Sequence, residues 1–229
     1  MPAPAADPTR DIAFDILCGV VEHRRMLETS LARSAQTHEA EPRDRAAAHR
    51  LAAATLRHMG TLRAVLEPFL RKEPPEPVRA AVMLGAAQLL FLETPHHAAE
   101  GPTLDLHRRR GLAPFAGLAN AELRKIAGSG ASVLDGLDQP RLDIPAWLWS
   151  SWSGLGAGVP RAIAAGISTE ASLDITLRPG ATAPEGGVLL PNGSWRYPAG
   201  TRVVDLAGYE HGAFWVPDAA ATLPASLLA

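Results

Sequence analysis

The sequence predicts a mainly α protein: an all-helical bundle over residues 9–128, followed by a small α/β domain over residues 141–229. Three observations carry this. Apolar residues recur at helical spacing through residues 9–127. Composition changes after residue 130, where all five tryptophans are found. Finally, Ser172-Leu173-Asp174-Ile175-Thr176-Leu177-Arg178 alternates with period two, the pattern of a half-buried strand.

Residues 1–8 carry no apolar pattern and are expected to be disordered. The first run then places Ile12, Ile16, Leu17, Val20, Leu27 and Leu31 at helical spacing, with Thr9 as N-cap and Asp11 in the first turn. Glu39 to Arg43 is a polar connection. Asp44 to Phe69 aligns Ala48, Leu51, Ala52, Thr55, Leu56 and Met59, then Leu62, Val65, Leu66 and Phe69. Gly60 and Pro68 divide that run into two helices. Glu73-Pro74-Pro75-Glu76-Pro77 is a stiff linker, and Pro77 suits the first position of the next helix. Val78 to Leu92 is apolar on most sides, as expected of a central helix.

Thr94-Pro95-His96-His97 reads as a turn. Ala98 to Arg110 reads as a helix that ends in His107-Arg108-Arg109-Arg110, with Gly111 as its C′ residue and the basic turn facing the negative end of the dipole. Phe115 to Ala127 closes the set before Gly128-Ser129-Gly130, and residues 129–140 read as a linker. Short helices follow at Pro145–Gly154, with Trp147, Trp149 and Trp152, and at Pro160–Gly166. Strands are expected at 172–178, 188–190, 202–205 and 213–216, separated by turns such as Pro191-Asn192-Gly193.

With 229 residues and 47% hydrophobic composition the chain can bury a core. No apolar run approaches the ~20 residues of a membrane helix, and Met1 to Arg10 lacks a signal-peptide layout. A cytoplasmic location with no membrane partner is the expectation. The single cysteine, Cys18, excludes an internal disulfide and any multi-cysteine metal site. The eight histidines form no i, i+4 pair with a nearby third ligand, so no metal is expected. Cys18 lies among apolar neighbours and reads as buried and structural. Gly154-Leu155-Gly156-Ala157-Gly158 follows a helix rather than a strand and reads as a loop, not a cofactor cradle.

Charge is unevenly spread. Residues 1–128 hold 17 Lys and Arg against 15 Asp and Glu; the remainder hold 5 against 9. An anionic partner should therefore prefer the first half. All the basic residues but Lys72 and Lys125 are arginines, whose planar fork suits phosphates. The candidates for RNA contact are Arg10, Arg24 and Arg25 on the first helix, and Arg108, Arg109 and Arg110 with Arg124 and Lys125. Solvated helix faces explain such runs equally well. Trp147, Trp149 and Trp152 can stack on bases or anchor a core.

Several pieces in order resemble the NusB fold, the helical module of a transcription antitermination factor. They are Arg10 heading an amphipathic helix, Arg43-Asp44-Arg45 opening a helix that reaches Leu56-Arg57-His58, Leu84-Gly85-Ala86-Ala87-Gln88-Leu89-Leu90-Phe91 followed by Pro95 and Ala98, and Leu118-Ala119-Asn120-Ala121-Glu122-Leu123-Arg124-Lys125. The second half resembles the region before the catalytic domain of the Sun (Fmu) family of 16S rRNA cytosine-5 methyltransferases. This rests on Ile144-Pro145-Ala146-Trp147-Leu148 and on the stretch from Gly208 to Ala221, where Pro217 stands in place of the family's Gln.

The resemblance implies an RNA-binding N-terminal portion of an S-adenosylmethionine-dependent rRNA methyltransferase. The catalytic Rossmann-like domain and its cysteines are expected to be missing from this chain. The chain is then expected to hold no cofactor and no catalytic residue, and to be inactive alone. The alternative is a stand-alone antitermination-like module that binds RNA with a ribosomal-protein partner.

Overall fold

The computed structural model describes residues 6–70 and 72–227. The chain divides into two compact units, Met1–Ser168 and Thr169–Ala229. The division lies well beyond the linker expected at 129–140. The segment after residue 130 packs back onto the helices: Val133, Leu134 and Leu137 join one of the two helical cores, and Ile144 is buried.

The first unit opens with α1 (Pro8–Val21), α2 (Leu27–Thr37), α3 (Pro42–Arg57), α4 (Met59–Leu66), α5 (Glu76–Leu90), α6 (His96–Arg109) and α7 (Ala116–Ser129). It continues with α8 (Gln139–Leu142), α9 (Ala146–Ser153) and α10 (Val159–Ile167). Helix α5 is the axis, as its apolar sequence implies. Its Ala80, Ala81 and Leu84 face a core built with Ile12, Ile16, Leu17, Leu51 and Leu106. Its Val82, Met83, Ala86 and Ala87 face a second core with Leu62, Leu66, Leu123 and Ile126. A helix that serves two cores must be apolar nearly all round.

The structure corrects three expectations at the start of the chain. Asp7, not Thr9, caps α1: its carboxylate accepts the Arg10 N–H at 3.1 Å, and Pro8 takes the first helical position. The hydroxyl of Thr9 instead donates to Asp44 on α3. Helix begins at Pro8, so the disorder expected for residues 1–8 fails there; for residues 1–5 that expectation lies outside the described residues. The run from Ile12 to Leu31 is also two helices. The Arg25 N–H turns back to the Gly19 carbonyl, and Arg24 adopts a positive φ of 52°. Arg24 and Arg25 thus sit in the turn between α1 and α2 rather than on the first helix.

Helix α6 ends as the sequence implies. Gly111 has φ +72°, the Leu112 N–H reaches the His107 carbonyl at 2.7 Å, and the Gly111 N–H faces the Arg108 carbonyl.

The second unit is a four-stranded antiparallel sheet in the order β2-β3-β1-β4, with β1 Leu173–Leu177, β2 Val188–Leu189, β3 Trp195–Tyr197 and β4 Phe214–Trp215. Ile175, Tyr197 and Phe214 form its core. Strand β3 was not expected. The strand expected at 202–205 is instead a 3-10 turn over Val203–Asp205, closed by the Asp205 N–H on the Arg202 carbonyl. Among the described residues the sheet has no parallel pairing of the kind a dinucleotide-binding fold requires.

Candidate nucleic-acid interface

The basic residues singled out above fall into two groups, one turned into the fold and one facing solvent. Arg10 belongs to the first. Its Nη1 pairs with Asp7 at 2.7 Å, and its Nη2 donates to Gln88 Oε1 at 2.6 Å and to the Ala98 carbonyl at 2.7 Å. That carbonyl is open for a local reason. Pro102 lies inside α6 and has no N–H to offer the residue four positions back. The arginine of α1 takes the place of the missing helical hydrogen bond, which ties α1 to α5 and α6.

Arg109 and Arg110 also point inward. Both donate to the buried carboxylate of Asp11 at 2.8 Å, one to each oxygen. Arg110 also reaches the Asp11 carbonyl at 2.7 Å and Asp15 at 2.9 Å, and its guanidinium lies 5.1 Å from the Phe14 ring centre. Asp15 further accepts from Ser34 and from His38. Asp11 and Asp15 on α1 are thus neutralised from the C-terminal turn of α6, which leaves little of these two arginines at the surface. A charge this buried needs such partners, and removing one leaves the other uncompensated.

The remaining candidates face solvent. Arg24 and Arg25 are exposed, and Arg25 lines a shallow hollow of about 150 Å³ with Arg33 and Thr37. Arg108 reaches Asp105, one turn back on its own helix, at 2.6 Å. Arg124 is exposed and touches Glu100 at 3.2 Å. Lys125 is exposed beside Phe69, with its Nζ 4.8 Å from the ring centre. Exposed pairs of this sort are worth little and can be exchanged for a phosphate.

Sequence reasoning passed over the outer face of α3. Arg43, Ala47 and Arg50 lie at i, i+4 and i+7 and are exposed. Arg50 borders a hollow of about 220 Å³ together with Thr9, Arg10, Gln88 and Thr94. The signal was available: Ala48, Leu51 and Ala52 point to the core, which fixes the opposite face by helical period.

Residues 7–128 match the NusB family. The chain belongs to that family. The chain is also similar to two larger proteins. "Ribosomal RNA small subunit methyltransferase B" of Xanthomonas campestris pv. campestris is 34% identical over 131 residues, 56% of this chain and 30% of that protein. The protein of that name from Xylella fastidiosa is 34% identical over 117 residues, 50% of this chain and 28% of its own length. The chain thus spans under a third of the curated relatives it matches. Among solved structures, the crystal structure of PH0851 aligns with a TM-score of 0.58 at 13% identity, over 100% of this chain and 56% of that one. That likeness shows the fold alone.

Neither the loop from Gly154 to Gly158 nor Cys18 has the setting of a methyl-donor cradle or an attacking thiolate. The loop from Gly154 to Gly158 joins α9 to α10, so no strand precedes its glycines. Burial, helped by the neighbouring Glu22 and Asp15 carboxylates, pushes the Cys18 thiol up to about 12, which makes it a poor nucleophile at neutral pH. No group of His, Cys, Asp and Glu among the described residues is arranged to hold a metal ion. No helix among them is long and apolar enough to cross a membrane.

Proposed function

We propose that this chain is the RNA-gripping N-terminal portion of an S-adenosylmethionine-dependent rRNA cytosine-C5 methyltransferase that works in the cytoplasm on ribosomal RNA. The observation that carries this reading is the joint presence of a NusB bundle and 34% identity to two small-subunit rRNA methyltransferases. In this reading Arg24, Arg25, Arg108, Arg124 and Lys125 neutralise phosphates from the solvent side. Arg10, Arg109 and Arg110 serve the same surface from beneath, by fixing α1 against α6. In this reading Cys18 is not the attacking thiolate, and the 229 residues alone transfer no methyl group.

The test is fluorescence anisotropy of a 16S rRNA fragment titrated with the purified chain at several salt concentrations. Binding should weaken linearly in log–log form, and each of Arg24→Ala, Arg25→Ala and Arg108→Ala should reduce the slope by about one or less. Binding that ignores salt, or slopes unchanged in all three variants, would refute the assignment of these residues. Methyl transfer by the chain alone would refute the division of labour.

A further inference from the structure

Helix α4 has no cap of its own. Its N-cap residue, His58, makes no side-chain bond to the free N–H groups of the first turn. The cap comes from far down the chain. Asp143 Oδ1 accepts the Thr61 N–H at 2.7 Å, and its Oδ2 accepts the Thr61 hydroxyl at 3.0 Å and the His58 Nδ1–H at 3.2 Å. The Asp143 side chain is 2% exposed. His58 in turn stacks on Phe91 at the end of α5, with ring centres 3.8 Å apart. Beside this pin, the Leu142 carbonyl fills the space where a side chain on Gly60 would begin: a Cβ there would lie 1.9 Å from that oxygen. Only glycine lets the two backbones meet.

The segment that carries Asp143 is held together by its own contacts. Arg161 on α10 grips Asp138 with two hydrogen bonds of 2.7 and 2.8 Å. Arg141 donates to the Ile144 carbonyl, and Arg141 and Arg161 lie 5.2 and 5.9 Å from the centre of the Trp149 ring. Within this segment α10 packs on α8 and α9, while α8 packs on α4. A piece bound tightly to itself, and to the bundle through the Asp143 bonds, the Leu142–Gly60 backbone contact and the packing of α8 on α4, has the build of a cooperative sub-unit.

We propose that residues 138–168 form a latch that docks and releases as one unit, with Asp143 as its pin and as the N-cap of α4. The bundle therefore borrows a helix cap from outside the 7–128 family region. Release uncovers the Gly60 backbone and the His58–Phe91 pair and frees the first turn of α4.

Hydrogen exchange by NMR on the full chain tests this. In the wild type, the Thr61 amide should exchange through the same opening as the amides of α9 and α10, faster than the core amides of α5. Asp143→Ala should accelerate both sets by a common factor, roughly 10- to 100-fold for the loss of bonds to a buried carboxylate. The α1 amides from Ile12 to Leu17 should be unchanged. Asp143→Asn keeps an acceptor for the Thr61 N–H and should give the same pattern at smaller amplitude, which keeps the test open if the alanine variant folds poorly. Gly60→Ala should reproduce the pattern by steric exclusion. Acceleration of Thr61 without α9 and α10 would reduce Asp143 to a local cap and overturn the latch. Equal acceleration throughout α1 and α5 would make the segment part of the global fold and overturn it as well.

Discussion

Glu122 gives the sharpest thermodynamic expectation. It sits on the inner face of α7 at 2% exposure, and its Oε1 has no hydrogen-bond partner among the described residues. Burial raises its carboxyl to about 7, against an opposing pull from Lys125. In the unfolded chain it titrates near 4.5. Between those values the folded protein holds a proton that the unfolded chain has lost, so stability must fall as pH rises. At about 1.4 kcal/mol per pH unit, titration between 4.5 and about 7 gives a loss of about 3 kcal/mol from pH 4 to pH 8. Glu122→Gln keeps the shape and abolishes the titration. Any fixed cost of burying the amide is the same at both pH values, so the diagnostic is the change in the mutant-minus-wild-type difference. Urea unfolding followed by far-UV circular dichroism at pH 4 to 8 measures it, and other titrating groups common to both proteins cancel. The variant should gain about 3 kcal/mol on the wild type between the two ends. A difference constant to within about 0.5 kcal/mol would mean that Glu122 ionises as if exposed, and would refute the reasoning.

The other predictions rest on contrasts between neighbouring groups. Arg10→Met should destabilise the bundle by about 2–4 kcal/mol in urea unfolding, because it strands the Ala98 carbonyl and Asp7. Arg108→Met, which removes only an i, i+3 surface pair, should stay within about 0.5 kcal/mol. Equal effects from the two would contradict the inward and outward assignment. In the second unit, hydrogen bonds from Arg196, aided by the Ala219 N–H, hold the Asp174 carboxyl below its usual range. That contribution is present above the unfolded value near 3.8 and is lost as pH falls through the lower folded value. Asp174→Asn should cost about 1–3 kcal/mol at pH 7, seen as faster hydrogen exchange across residues 173–222, and the penalty should shrink in acid. Burial lowers His107, whose Nδ1–H donates to the Thr103 carbonyl while Nε2 has no partner among the described residues. Its neutral form is favoured in the folded state, so stability should fall below pH ~6.5 by an increment that His107→Gln lacks in the same unfolding series.

What the sequence revealed follows from the range of the forces involved. The axial position of α5 is legible because a helix facing two cores shows it in its own composition. The end of α6 is legible because a Gly in the left-handed region closes it locally. The break between α1 and α2 is hidden. Val20, Leu27 and Leu31 continue the helical period by coincidence, and no Pro or Gly lies between Val21 and Leu27. Strand β3 could have been found. The turn at Asn192-Gly193, closed by Leu190 N–H to Ser194 O, implies a returning strand after it. Asp143 could not have been found, because its partners lie 82 and 85 residues away and nothing near it in sequence marks a cap.

The basic run at 108–110 shows why site residues are harder to read than elements. Successive helical residues turn by about 100°, so three neighbours cannot share one face. Arg108 therefore looks outward while Arg109 and Arg110 meet Asp11. Asp11 suits a first-turn dipole partner by position, yet the structure uses it to absorb two guanidinium groups. The bundle is near-neutral because 15 Asp and Glu offset its 17 Lys and Arg. A net charge of +2 over residues 1–128 cannot attract RNA through its mean field. On the proposed function, recognition rests on where the outward cations stand, and that depends on α1 and α6 being held in place. On that proposed function the inward arginines govern RNA contact indirectly, so a variant such as Arg10→Met should lose affinity through lost order in α1 rather than through one lost phosphate contact.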